Sequence, residues 1–309
     1  MRVLVTGGSG YLGSAIVRAL AMHGHEPIVF ARRASTAGLP GQAVDGDIRD
    51  RSSVRQAASR VDAIVHAAAL VSVWHPQPST FDDVNVGGLQ ATLEAARALG
   101  IRRIVYTSSF LARPPADGPV ALAANDYQRT KVRAREIAHA AIDEGLPLVS
   151  LVPGVIYGPG GVTEGNLIGR MVADHLAGRL PGLIGAQRCW SHAYVNDVAE
   201  AHVSALTPGV PAGEYLLGGE NAPQMRVFEI VRDETGAALP RRIPFALASA
   251  MGCIEELRAA LTGRPPAITR GVVEILRHDW SMNSTRSVEE LNYRITPLEM
   301  GVRALLSEP

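Results

Sequence analysis

The sequence predicts an α/β fold: a doubly wound parallel sheet with helices on both faces, carrying a smaller, discontinuous C-terminal lobe. Three observations predict it. The chain opens on an apolar, β-like run at residues 2–6 that passes directly into the glycine-rich turn Gly7-Gly8-Ser9-Gly10-Tyr11-Leu12-Gly13 and then into a helical stretch at 14–20. Short apolar runs then alternate with amphipathic helical stretches as far as residue 152, the pattern of strand-helix-strand units that pair in parallel. Past Pro153-Gly154 the alternation loosens into helical stretches punctuated by Gly and Pro.

Residues 2–6 form strand one. In the turn that follows, Gly7 permits the tight reversal, Gly10 lets the backbone approach a diphosphate, and Gly13 lets the new helix pack close on the strand. The helix start, at Ser9, Gly10, Tyr11 and Leu12, offers free N–H groups and the positive dipole end to the diphosphate of a dinucleotide. Residues 27–30 read as strand two, 42–44 as strand three, 63–67 as strand four, 103–107 as strand five and 148–152 as strand six. A helix at 89–99 is stopped by Gly100. Asp126 is placed to cap a helix that starts near Tyr127 and is ended by Gly145 and Pro147. Residues 195–206 and 215–218 look like a helix and a strand returning to the sheet. The dinucleotide-binding domain is therefore expected over 1–159 plus about 191–219, and the substrate lobe over about 160–190 plus 220–309.

Composition limits the function. At 309 residues and 47% hydrophobic, the chain can bury a large core without staples. Thirty acids balance thirty bases and no basic run interleaves with aromatics, so nucleic acid is not an expected partner. Cys189 and Cys253 lie far apart and are expected to be free thiols; no Cys/His spacing suggests a metal. The first strand begins at residue 2 and no run of 18 apolar residues occurs, which leads to the expectation of a cytoplasmic protein with no membrane partner.

The cations carry the sharpest signal. Of the 30, 29 are arginine and one is lysine, Lys131, four positions after Tyr127. An ε-ammonium is a compact point charge that fits beneath a phenol, whereas a guanidinium is a wide planar fork. On one helix the i, i+4 spacing puts both side chains on one face, where the cation is expected to lower the phenol's pKa toward that of an acid/base catalyst. Thr107-Ser108-Ser109 ends strand five, at the carboxyl edge where such sheets place ligands. A hydroxyl there, Ser109, can donate to a carbonyl oxygen, or simply cap a turn. Strand two is followed by Ala31-Arg32-Arg33 rather than by a carboxylate that would hold ribose hydroxyls, which favours the 2′-phosphate of NADP(H), with Arg32 the expected contact and NAD(H) a lesser possibility.

Together, the glycine turn, Ser109, Tyr127-Gln128-Arg129-Thr130-Lys131 and Pro153-Gly154-Val155-Ile156-Tyr157-Gly158-Pro159 resemble the extended short-chain dehydrogenase/reductases, a Rossmann-type family. Gly46-Asp47-Ile48, His66-Ala67-Ala68-Ala69, Asn85-Val86-Gly87-Gly88 and Tyr194-Val195-Asn196-Asp197 extend the resemblance over nearly the whole chain. The resemblance implies that Ser109 and Tyr127 carry the proton chemistry, that Lys131 also holds the nicotinamide ribose, and that Asp47 and Ile48 flank the adenine. It further implies cofactor contacts from Ala67, Ala68, Ala69, Pro153 and Val155, and a homodimer paired through the Tyr/Lys helix, where Val132, Ile137, Ala138 and Ala141 leave apolar surface, some of which must pack on its own sheet. Asn85 reads equally as a cofactor neighbour or a structural hydrogen bond, and His66 reads as a packing residue. Trp74, Phe110, Tyr157, Asn166 and Trp190 are the candidate substrate contacts.

Three functions compete. The first is reduction of a hydrophobic ketone or aldehyde, as in the dihydroflavonol-reductase and 3β-hydroxysteroid-dehydrogenase branch, with a small carbonyl or alcohol as partner. The second is epimerisation or dehydration of a nucleotide-linked sugar at the same site, and the third is a cofactor-sensing binding protein without catalysis. Sugar-nucleotide members commonly place an arginine where this chain has Trp190, and a second one where it has Gly271-Val272-Val273, with Arg270 and Arg277 out of step. Asn166 does resemble a sugar-nucleotide contact, and Arg188 lies two residues from Trp190. Only 18 positions separate Ser109 from Tyr127, and Pro114, Pro115 and Pro119 fall among them, so the loop over the cleft is expected to be short and the site open.

Overall fold

The computed structural model describes residues 1–307 except 121 and 162. Among the described residues the strands are β1 (Arg2–Thr6), β2 (Glu26–Ala31), β3 (Gln42–Asp45), β4 (Ala63–His66), β5 (Ile104–Thr107), β6 (Leu148–Pro153), β7 (Val155–Tyr157), β8 (Leu183–Ile184), β9 (Cys189–Tyr194), β10 (Gly213–Leu217), β11 (Glu220–Pro223) and β12 (Arg242–Ile243). The helices are α1 (Tyr11–Met22), α2 (Arg51–Ala57), α3 (Ser79–Phe81), α4 (Gly88–Leu99), α5 (Asp126–Asp143), α6 (Leu167–Leu176), α7 (Val195–Ser204), α8 (Gln224–Thr235), α9 (Phe245–Thr262), α10 (Arg270–Leu276), α11 (Thr285–Leu291) and α12 (Leu298–Ser307).

A seven-stranded sheet in the order β10-β6-β5-β4-β1-β2-β3 has every pair parallel, the doubly wound arrangement the alternation predicts. Its central strands are apolar on both faces because both are covered. Val3, Val5, Val65, Val105 and Val149 pack with α1 and α7, while Leu4, Ile64, Ile104 and Leu148 pack with α4 and α5. The segment at 213–217 returns as expected, pairing beside β6.

One local expectation is corrected. The helix carrying Tyr127 is capped by Asn125, whose side chain accepts from Gln128 N at 2.8 Å; Asp126 is its first residue and pairs with Arg129 instead. Part of the apolar surface of α5 packs on its own sheet: Ala138 and Ala141 are buried, and Ile137 packs on the same cluster. The inward face of α5 is therefore already covered by its own chain.

The second lobe holds a small sheet, β11-β9-β7, in which β9 pairs parallel with β7 and antiparallel with β11. Trp280 adds to β9: its N–H donates to Cys189 O at 2.8 Å and its carbonyl accepts from Ser191 N at 3.2 Å. Around this sheet Tyr157, Trp190, Phe228, Trp280 and Leu298 form a separate apolar core. No helix is long and apolar enough to cross a membrane among the described residues, and both cysteines are free.

Candidate active site

The glycine turn is built by close approach. Gly7 has φ +68°, a left-handed conformation, and a Cβ there would lie 2.7 Å from Ala68 Cα. A Cβ on Gly13 would come within 2.1 Å of Gly7 O, so only glycine lets α1 start against the strand. Gly10 caps α1 without a side-chain acceptor, and no acid occupies the first turn. The helix start is thus free for an anion, and the residues present fit the diphosphate of a dinucleotide.

Ala67 and Ala68 form the wall facing this turn, and Ala69 continues it. Ile48 is buried against Gly88, where a Cβ would meet its Cγ1 at 2.7 Å. The Asp47 carboxylate is held by Arg49, with Nη2 to Oδ2 at 2.6 Å, which keeps its pKa below the usual carboxylate range. Arg32 is exposed at the end of β2, and its charge also acts on Asp47. The Tyr11 hydroxyl donates to Gly158 O at 3.0 Å, tying the turn to the loop after β7. Pro153 and Val155 lie at the carboxyl end of β6 and the start of β7, both buried.

Asn85 makes structural hydrogen bonds. Its Oδ1 accepts from Leu70 N at 2.7 Å, its Nδ2 donates to Thr130 Oγ1 at 3.0 Å, and the side chain is buried. His66 is likewise a packing residue: Nδ1 meets Thr6 Oγ1 at 3.1 Å and Thr92 Oγ1 at 2.9 Å, and burial, followed by the charge of Lys131, pushes its pKa to about 3.

At the carboxyl end of β5, the structure brings Ser109, Tyr127 and Lys131 together. The Ser109 side chain lies close enough to the Tyr127 phenol to act on its ionisation, and it accepts from Leu111 N at 3.2 Å, so it caps a turn beside the phenol. Lys131 is 3% exposed and its Nζ donates to Thr107 O at 2.9 Å, with the Tyr106 ring centroid 5.3 Å away. The expected direction of the phenol's shift is corrected. Burial raises the Tyr127 pKa and the neighbouring Ser109 side chain offsets it only in part, while burial lowers that of Lys131 to about 7. The reason is desolvation: both groups leave water, each is pushed toward its neutral form, and the ammonium proton is engaged by a carbonyl rather than by the phenol.

The candidate substrate contacts divide. Phe110, half-exposed beside Ser109, lies between two indoles, with ring centroids 5.6 Å from Trp190 and 5.4 Å from Trp280. Both indoles are 3% exposed, and Trp190 Nε1 donates to His278 O at 3.3 Å. Trp74 is half-buried in the loop after β4, where Ser72 donates to its carbonyl. Tyr157 and Asn166 are both fully buried. Tyr157 sits in the lobe core, where its ring meets Tyr194 edge-on and a Cβ on Gly301 would lie 2.2 Å from its Oη. Asn166 caps α6, accepting from Gly169 N at 3.1 Å and donating to Gly158 O at 3.1 Å. Arg188 lies 3.7 Å from carboxylates of both Asp117 and Asp279. The place of Trp280 beside Phe110 was missed, since nothing local in the sequence distinguishes it from a core residue.

A family model described as the NAD dependent epimerase/dehydratase family matches residues 3–218. Sterol demethylase protein B of Methylococcus capsulatus is 31% identical over 94% of this chain and 93% of its own length. The 2-alkyl-3-oxoalkanoate reductase of Stenotrophomonas maltophilia is 33% identical over 93% of each. Among solved structures, gox2253 superposes with a TM-score of 0.82 at 27% identity, covering 99% of this chain and 96% of that one. The UDP-glucose 4-epimerase of Thermus thermophilus, in complex with NAD, gives 0.75 at 25% identity, covering 99% and 98%.

Proposed function

The chain belongs to the NAD dependent epimerase/dehydratase family, the extended short-chain dehydrogenase/reductases, and from that premise we propose that it reduces a ketone or aldehyde of a small hydrophobic compound with NADPH. The observation that carries the reading is the placement of Ser109, Tyr127 and Lys131 at the end of β5 beside an aromatic cluster whose neighbouring arginine, Arg188, already faces two carboxylates. A phenol whose pKa is raised stays protonated at neutral pH, the state required of a proton donor to a carbonyl oxygen. Ser109 orients that oxygen and donates to the developing alkoxide. Lys131, an ammonium that gives up its proton near neutrality, passes a proton back to Tyr127 and holds the nicotinamide ribose. The bound nicotinamide supplies the hydride.

Phe110 with Trp190 and Trp280 gives an apolar wall next to the reacting atoms. A diphosphate needs cationic partners there, because desolvating its charge without them is costly. Trp190 stands at the usual arginine position, and Arg188 is neutralised by Asp117 and Asp279. Turnover of hydrophobic ketones and aldehydes, followed as net loss of NADPH absorbance, tests the reading; Tyr127→Phe must abolish it. Interconversion of a UDP- or dTDP-sugar without net absorbance change, and no activity on hydrophobic carbonyls, overturns it in favour of the epimerase.

The cofactor preference rests on Arg32. It lies exposed beyond β2 with no ion pair among the described residues, and Asp47, on which its charge acts, is held by Arg49. Arg32→Ala is expected to weaken NADPH binding at least about tenfold while leaving NADH binding nearly unchanged. Equal loss for both dinucleotides, or for neither, removes the NADP assignment.

A further inference from the structure

The solvent side of α9 is apolar. Ala248, Gly252 and Ala259 are buried on its packed side, and a Cβ on Gly252 would lie 2.9 Å from Arg270 N. At 100° per residue the opposite side is centred on Leu247, Ile254, Leu257 and Leu261, with Met251 at its margin. These five side chains are 38–78% exposed. A helix apolar on both faces is one that a second surface covers.

Charge decides which surface. Arg241 and Arg242 precede the helix and Arg264 follows it; all three are exposed and, among the described residues, none has an ion-pair partner. The acids of α9 are already used, Glu255 by Arg258 and Glu256 by Arg270. A second copy related by a two-fold axis would bring cationic helix ends together with no free carboxylate between them. An anionic surface meets the same ends favourably, and an apolar stripe between exposed arginines suits a helix lying in the plane of a bilayer.

We propose that α9 docks the protein on an anionic lipid surface, its apolar stripe in the acyl boundary and Arg241, Arg242 and Arg264 at the headgroups. This is surface association, distinct from spanning. The placement bears on the site. α9 packs through Gly252 on α10, and Gly271 of α10 packs so tightly on Ala124 that a Cβ there would lie 1.9 Å from its carbonyl oxygen, three positions before Tyr127. These contacts link the docked helix, through α10 and Ala124, to the segment that precedes Tyr127. The docking itself does not depend on the reductase reading.

The test is co-sedimentation of the full chain with vesicles of phosphatidylcholine alone and with about 30% phosphatidylglycerol. Binding is expected to the anionic vesicles, reduced by about 0.5 M salt. It should fall at least about fivefold in Ile254→Asp/Leu257→Asp and in Arg242→Gln/Arg264→Gln, with thermal melts confirming that both variants fold. Failure of the wild-type protein to bind, or binding unchanged in the first variant, overturns the proposal. So does a dimer in light scattering that the first variant converts to a monomer, which assigns the face to a second copy. The vesicle readout needs no turnover, so a failed reductase reading and a failed docking proposal are told apart.

Discussion

At the scale of the residue, Lys131 concentrates the chemistry. It is buried, its ammonium has one hydrogen-bond acceptor in Thr107 O, and burial holds its pKa near 7. A guanidinium cannot occupy that place as a point donor, so Lys131→Arg is expected to lower kcat/KM at least tenfold, about 1.4 kcal/mol of transition-state stabilisation. Full activity in that variant would remove Lys131 from the mechanism. The same shift has a consequence for stability. A base whose folded pKa lies below its unfolded value binds more protons when unfolded across the interval between them, so stability rises with pH from about 7 toward the ordinary lysine value of 10.5. Between about pH 7 and 9 the gain is about 2 kcal/mol for this group alone. Lys131→Met should lack it, and a difference in urea unfolding between wild type and variant that stays constant over that range would contradict the burial of a titrating ammonium.

At the scale of the element, α5 positions Tyr127 and Lys131 because Asn125 starts it in register. Asn125→Ala is expected to cost about 1 kcal/mol, measured by urea denaturation, whereas Asp126→Ala, which loses only a half-exposed pair with Arg129, should cost less than half of that. The opposite order would restore Asp126 as the cap. Both residues are plausible caps in the sequence, and only the backbone at Asn125, extended at φ −151°, decides between them. That contrast marks what the sequence makes legible. The parallel sheet could be read because its strands are short apolar runs set off by Gly and by helical periodicity. β7, β9 and β11 could not, since Cys-Trp-Ser-His-Ala-Tyr has no strand alternation and pairs with segments on either side of it in the chain. The serine, tyrosine and lysine were legible from spacing, but the direction of the Tyr127 shift was not, because it follows from burial, which spacing does not encode. Tyr157 and Asn166 sit in motifs that pointed toward substrate, and the packing of Tyr157 on Gly301 and the capping of α6 by Asn166 were not legible there.

At the scale of the molecule, the helix that carries Tyr127 and Lys131 is joined to the edge of the sheet by one carboxylate. Glu214 on β10 pairs with Arg135 and His139 of α5 and with Arg113 of the loop that follows Ser109. Burial alone would push its pKa up, but the hydrogen bonds from Arg135 and His139 and the charges of Arg135 and Arg113 outweigh that and hold it at about 2. An acid whose folded pKa is lowered contributes stability that is present above its unfolded value near 4.5 and is lost as pH falls toward 2. The buried histidines act in the same direction over a higher interval. Burial holds His192 and His202 near 4 and His66 near 3, so their neutral forms must charge on unfolding as pH drops below 6.5. Acid unfolding should therefore come in two overlapping contributions, the histidines from about pH 6.5 to 3 and Glu214 below 4.5. Glu214→Gln is expected to destabilise the protein by roughly 3 kcal/mol at about pH 7, because it leaves two arginines without their common partner, and to flatten the stability profile only below about pH 4.5. Its slope between about pH 6.5 and 4.5 should match that of the wild type. A variant whose profile is displaced equally at every pH would show that Glu214 acts through packing rather than charge, and that the tie between α5 and the sheet edge is steric.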